Sequence, residues 1–304
     1  GFILGQALGT FITFSFLFCI TFFPFKYNIN YSLITDNLRL SLPLTPRIFF
    51  GAINSQFDRF MLGLLNSLGG VGLYDIGQKI ANISFTYMTA VQNVFEPEVY
   101  KRLFSKDKNI KKSVGKYLSP FFYISILICL FIAIFSLEIL YILTPEEFHG
   151  ASKIISILSL LYGFYFFGKQ PQLLFAKKTG LISILSFISI SLNIGFNIPM
   201  INYYGIIGAA FATLFAGIFS VGLSFYFGQK YAPIYYEKII FIIIIYFIIS
   251  VISILFLSTL EIDWKIILMI KIFVFSFYVY LGYLYDIFKL LRIPYNENLK
   301  NVNQ

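Results

Sequence analysis

The chain has 304 residues, of which 58% are hydrophobic and 12% charged, with a formal net charge of +9. A soluble domain holds roughly 45–50% apolar and ~25% charged residues, so this composition excludes a soluble fold and makes lipid the solvent for much of the chain. The Lys and Arg residues fall in short gaps between apolar runs rather than on a polar surface, which excludes a nucleic-acid partner.

A hydrocarbon core of ~30 Å takes ~20 apolar residues per helix, and lipid offers the backbone no hydrogen bonds, so spanning segments are helices or closed barrels. The continuous runs favour helices. In chain order, spans are expected near 2–23, 42–65, 71–95, 117–143, 152–174, 179–199, 205–227, 239–259 and 264–286, an all-α polytopic bundle of about nine helices. The second and third are the most polar. Residues 24–41 carry Tyr31, Leu33, Ile34 and Leu38 among polar residues, the pattern of an amphipathic helix at the membrane surface. Residues 96–116 read as a charged linker with few apolar positions. Leu68-Gly69-Gly70, Thr144-Pro145, Lys178-Thr179-Gly180, Asn202-Tyr203-Tyr204-Gly205 and Ala232-Pro233 read as short connectors.

Alternate loops divide the Lys and Arg residues seventeen to four. The richer side includes Lys26, the basic cluster of 96–116, Lys169 and the tail with Lys289, Arg292 and Lys300. The poorer side holds Lys79, Lys153, Lys265 and Lys271. The positive-inside rule then puts the linker and the carboxy terminus in the cytoplasm. Nine crossings place Gly1 on the far side, and the chain begins with Gly, so an upstream portion with an odd number of helices is expected.

Ionisable groups at membrane depth cost about 2.5–3.5 kcal/mol each on insertion scales and normally face a cavity or a partner. At ~100° per residue, Arg47, Asn54 and Asp58 form one stripe on the second helix. Asp75, Lys79, Asn82, Thr86, Thr89 and Asn93 form another along the third. Two readings stand for these residues, a wet cavity or hydrogen bonds between helices. Arg47 has no carboxylate one turn away and is equally suited to an anion or to the interface. Asp58 and Arg59 are expected to form a structural ion pair at the turn into the third helix. Asn193 and Asn197 share a face of the sixth helix, where they line a cavity or cap its end. Gly51, Gly63, Gly72, Gly77, Gly163 and Gly168 permit close approach or bending. Cys19 and Cys129 sit in apolar runs, and His149 lies alone in a loop, so no disulfide, metal or catalytic site is indicated.

The segment from Asn54-Ser55-Gln56-Phe57-Asp58-Arg59-Phe60-Met61-Leu62-Gly63 to Val71-Gly72-Leu73-Tyr74 and Ala81-Asn82-Ile83 resembles the "D-R-x-x-L-G … V-G-x-Y" signature of polysaccharide flippases in the multidrug/oligosaccharidyl-lipid/polysaccharide exporter superfamily. The opening Gly1-Phe2-Ile3-Leu4-Gly5-Gln6-Ala7-Leu8-Gly9 is similar to their sixth helix. The resemblance implies two six-helix lobes around a cavity that takes a sugar diphosphate. It implies that 1–41 is the last helix of the first lobe plus a cytoplasmic interfacial linker, 42–228 the second lobe, and 229–304 two peripheral helices and a cytoplasmic tail.

The expected function is translocation of an undecaprenyl-diphosphate-linked oligosaccharide across the bacterial cytoplasmic membrane for O-antigen, lipopolysaccharide or capsule synthesis. The alternatives are a cation-coupled multidrug exporter of the same fold and a membrane polysaccharide polymerase. The expected substrate cavity comprises Arg47, Asn54, Asp75, Lys79, Asn82, Thr86 and Asn93. No enzyme motif and no cofactor are indicated, and a coupling ion stays open. Expected partners are the lipid-linked oligosaccharide, membrane lipid, a polysaccharide polymerase and a chain-length regulator.

Overall fold

The structure, a computed structural model, describes residues 2–22, 31–65, 68–105, 107, 113–168, 171–260 and 262–287. Among these residues every regular element is a helix. They are α1 (Phe2–Phe22), α2 (Tyr31–Ser41), a 3-10 turn (Leu42–Leu44), α3 (Thr45–Leu65), α4 (Leu68–Phe104), α5 (Val114–Ile134) and α6 (Ser136–Leu143). A second 3-10 turn (Glu146–Ala151) leads to α7 (Ser152–Gly168), α8 (Gln172–Phe175), α9 (Thr179–Tyr231), α10 (Lys238–Leu257) and α11 (Trp264–Leu284). Helices α1, α5, α9, α10 and α11, and the stretch around α7, are long and apolar enough to cross a bilayer. The chain is a multi-pass membrane protein. Helices α3 and α4 fall outside that set because their polar stripes dilute their apolar residues.

Two compact units divide at Leu42 and Pro43. In the first, α1 exposes Leu4, Phe11 and Phe14, and α2 buries nothing. Tyr31, Ile34 and Leu38 share one face of α2, the amphipathic pattern anticipated for 24–41, although 24–30 with Lys26 lie outside the described residues.

The second unit is built on α5 and α7, which pack together through fully buried Ile126, Leu130, Ile134, Ile154, Leu158 and Leu161. Helix α4 covers both, and α9 packs on α3 and α7. Glycines set how closely these helices approach: a Cβ on Gly77 would lie 2.9 Å from Ile154, one on Gly163 would overlap the Phe247 ring, and one on Gly168 would lie 2.9 Å from Val221. Gly51 and Gly72 have open space there and hold no such contact. Helix α11 docks through a reciprocal pair. The Tyr123 hydroxyl donates to Tyr278 O at 3.2 Å, the Tyr278 hydroxyl to Tyr123 O at 2.9 Å, and the rings stack at 4.8 Å. Buried Lys271 also reaches Glu138 on α6 at 2.7 Å.

Several boundaries differ from the sequence expectation. The supposed linker 96–116 begins as helix, since Val99 and Leu103, four residues apart, are buried and carry α4 to Phe104. Arg102 fastens that end, bonded to Glu98 Oε1 and Ser113 Oγ at 2.8 Å each and lying over the Tyr117 ring. At ~1.5 Å per residue α4 is about 55 Å long, more than the ~30 Å core requires. Residues 106 and 108–112 lie outside the described residues, as do 169–170 and the tail from 288 with Lys289, Arg292 and Lys300. Leu68-Gly69-Gly70 forms the first turn of α4 rather than a connector, and the span 117–143 breaks at Phe135 between α5 and α6. All four lysines assigned to the lysine-poor side belong to helices: Lys153 and Lys265 sit in the first turns of α7 and α11, whereas Lys79 and Lys271 lie further inside α4 and α11.

Helix α9 is two helices joined at Gly205, whose φ of 58° and ψ of −133° a side chain would strain. Past this bend a Cβ on Gly208 would overlap Met200 O, which as backbone has little room to give. Gly222 has nothing within 4 Å. Gly208→Ala should therefore destabilise by about 1–3 kcal/mol or more, whereas Gly222→Ala should be neutral or add up to ~1 kcal/mol. Thermal unfolding in detergent compares them, and equal melting points would refute the close approach.

Candidate functional site

Asp58 lies in the interior of α3 with 1% exposure. Three side chains donate to its carboxylate. The Tyr74 hydroxyl of α4 reaches Oδ2 at 2.8 Å, the Thr213 hydroxyl of α9 reaches Oδ2 at 2.7 Å, and Asn197 Nδ2, before the α9 bend, reaches Oδ1 at 2.8 Å. Asn193 extends the network, donating to Thr213 Oγ1 at 3.2 Å and accepting from Asn197 Nδ2 at 3.0 Å. A carboxylate at this depth costs about 2.5–3.5 kcal/mol. Hydrogen bonds to a carboxylate return roughly 1.5–3 kcal/mol each, so three donors offset much of that cost. Asn197 Oδ1, beside this network, is buried and has no hydrogen-bond partner among the described residues.

The expected Asp58–Arg59 pair is not formed. Successive helical residues point ~100° apart, so once Asp58 turns toward α9, Arg59 faces elsewhere. Arg59 instead reaches α4, pairing with Asp75 Oδ1 at 2.7 Å and donating to Gln78 Oε1 at 2.9 Å; it also reaches Gln56 Oε1 at 3.2 Å. Lys79 takes the other Asp75 oxygen at 2.7 Å. Two cations thus share one carboxylate.

Further along α4, Lys79, Asn82, Ile83, Thr86 and Tyr87 line an open depression of about 370 Å³. Asn82 accepts a 2.7 Å hydrogen bond from the Tyr162 hydroxyl of α7. Of the seven expected cavity residues, Lys79, Asn82 and Thr86 are therefore brought together, with Asp75 tied to Lys79. Asn93 and Arg47 are exposed away from the depression, and no side chain among the described residues bonds Arg47. Asn54 is half-buried, its Oδ1 enclosed without a partner. Thr89 donates to Phe85 O on its own helix.

Tyr162 and Thr213 were not singled out in the sequence, and Tyr74 stood there only as the last residue of Val71-Gly72-Leu73-Tyr74, with no role given to it. A pointer existed in Asn193 and Asn197, one turn apart in an apolar helix, which match in the structure the mid-helix Asp58. Among the described residues no three His, Cys, Asp or Glu side chains converge as metal ligands.

No known protein-family profile matches the chain. The probable low-salt glycan biosynthesis flippase Agl15 of Haloferax volcanii is 27% identical over 168 residues, spanning 54% of this chain and 35% of that protein. The structure is similar to the lipid II flippase MurJ in an inward closed conformation, with a TM-score of 0.58 and 20% identity over 87% of this chain and 57% of that one. An outward-facing MATE family transporter of the MOP superfamily aligns with a TM-score of 0.46 and 19% identity, over 73% of this chain and 53% of that one. The chain spans between a third and about three-fifths of the length of these proteins, which are named as flippases and transporters rather than as enzymes. Its fold is that of the MurJ-type helical transporters.

Asp58→Ala would strand three donors in a dry interior. At about 1–3 kcal/mol per stranded group it should destabilise by on the order of 3 kcal/mol or more, whereas Arg59→Ala, at the half-exposed pair, should cost about 1 kcal/mol or less. Chemical unfolding in micelles measures both, and a reversed order would contradict the Asp58 hub.

Proposed function

We propose that the chain belongs to a flippase that moves a prenyl-diphosphate-linked oligosaccharide across a bacterial cytoplasmic membrane, with 1–41 the last helix of a first lobe and its interfacial linker, 42–228 the second lobe and 229–304 two peripheral helices and a tail. The observation that carries this reading is the polar face of α4, whose Lys79, Asn82 and Thr86 border open space on a helix within a lipid-solvated bundle. The oligosaccharide head passes along this face while its prenyl tail stays in lipid. Arg47, exposed near the start of α3, attracts the diphosphate. In this reading the carboxy terminus is cytoplasmic, an upstream lobe supplies the facing wall, and the glycan is an O-antigen or capsule repeat unit delivered to a polymerase and its chain-length regulator. The similarity to proteins named as glycan and lipid II flippases supports the substrate class.

The Asp58 pocket serves as the site of a monovalent coupling cation. One carboxylate carries one negative charge, the neighbouring oxygens of Asn193, Asn197 and Thr213 are neutral, and the unpartnered Asn197 Oδ1 is free to ligate. A multidrug exporter for cationic drugs would present open carboxylate to its ligand. Here Asp58 is buried and Asp75 is already covered by two cations.

Glycolipid translocation in spheroplasts tests the reading. Arg47→Ala at normal protein level should cut transport about tenfold, and Asp58→Asn should remove the difference between sodium and choline media. Full activity in Arg47→Ala removes Arg47 from the mechanism, and an unchanged sodium response in Asp58→Asn removes the cation site.

A further inference from the structure

Asn82 shows one fixed edge to the depression. Its Oδ1 is held on the α7 side by the Tyr162 hydroxyl at 2.7 Å. Tyr162 is 6% exposed, and its ring packs against Phe85 at 5.6 Å and Tyr165 at 5.6 Å, so the hydroxyl cannot follow a flipped amide. The Asn82 amide N–H₂ is thereby left to the open side. Beside it stand the Lys79 ammonium and the Thr86 hydroxyl, both exposed. The Asp75 carboxylate that faces Lys79 is shared with Arg59, so the two cations keep an excess positive charge at the edge of the depression. Such a lining offers donors and positive charge where an ordinary neutral glycan subsite would balance donors with acceptors.

We propose that this depression is a subsite for an acidic sugar of the transported glycan, a uronic-acid type ring whose carboxylate meets Lys79 and Asn82. Tyr162 determines this specificity from behind, by holding Asn82 in its donating orientation. The proposal builds on the flippase reading. The carrier diphosphate is the other oxyanion in such a substrate, and position argues against it. Arg59, at the level of Asp75, lies twelve residues beyond Arg47 on α3, about 18 Å along the axis, so the two cationic points are too far apart to serve one diphosphate.

The test titrates the purified intact transporter with three soluble probes: a disaccharide ending in glucuronic acid, its neutral glucose counterpart, and inorganic pyrophosphate. The acidic disaccharide should bind about tenfold more tightly than the neutral one, the worth of one charge-assisted contact. Lys79→Gln should remove most of that ratio. Tyr162→Phe should lower the ratio several-fold while neutral binding stays unchanged, an effect that a general loss of packing does not produce. Should Tyr162→Phe not fold, Asn82→Asp reads the same contact and should reverse the preference. Equal binding of the two disaccharides, or displacement of the acidic one by pyrophosphate at comparable concentration, overturns the subsite and leaves the flippase reading standing. A ratio unchanged in Tyr162→Phe overturns the role of Tyr162. Failure of the folded protein to bind either disaccharide overturns both readings.

Discussion

One buried carboxyl group, that of Asp58, organises this helical bundle. Among the described residues no cation pairs with Asp58, and its burial on α3 is sustained because α4 and both halves of α9 bring donors to its carboxylate. In a hydrocarbon surround the apolar faces of helices gain little by meeting one another, since lipid tails are as apolar as leucine. A carboxylate that must be satisfied therefore fixes register more firmly than greasy contacts do. Each donor is worth only a few kcal/mol, yet removing the acceptor strands all of them at once.

Around that point the polar residues of the two stripes divide their work. Asp58 turns inward and knits helices together, Arg59 and Asp75 brace α3 against α4, and Lys79, Asn82 and Thr86 face open space. The glycine contacts of α7 and the reciprocal Tyr123–Tyr278 bonds join α10 and α11 to the same packed body. The geometry holds the packed interior fixed while the polar face of α4 stays open.

Much of the architecture was legible in the residues. Apolar run lengths set the spans, and the turn at Asn202-Tyr203-Tyr204-Gly205 is where α9 bends. The charged appearance of 96–116 misled because two well-spaced apolar residues, Val99 and Leu103, were enough to extend α4. Helical angles put Lys79, Asn82 and Thr86 on one face of α4 but could not say which member of either stripe turns toward which neighbour. Adjacent Asp58 and Arg59 look like partners in one dimension, whereas three-dimensional packing sends one to α9 and the other to Asp75. Tyr162 and Thr213 were invisible because a lone hydroxyl in an apolar helix carries no periodic signal, and Tyr74 stood only as the last residue of Val71-Gly72-Leu73-Tyr74; the distant group that each bonds gives it meaning.

The account stands on the polar face of α4 meeting water at membrane depth. Single cysteines at Thr86, Asn93 and, as a lipid-facing control, Phe273 of α11 can be exposed to a membrane-impermeant thiol reagent in intact cells and in inverted vesicles, in a background without Cys19 and Cys129. The account predicts labelling of Thr86→Cys and Asn93→Cys from an aqueous side and none of Phe273→Cys. Protection of both α4 positions in every preparation would contradict it.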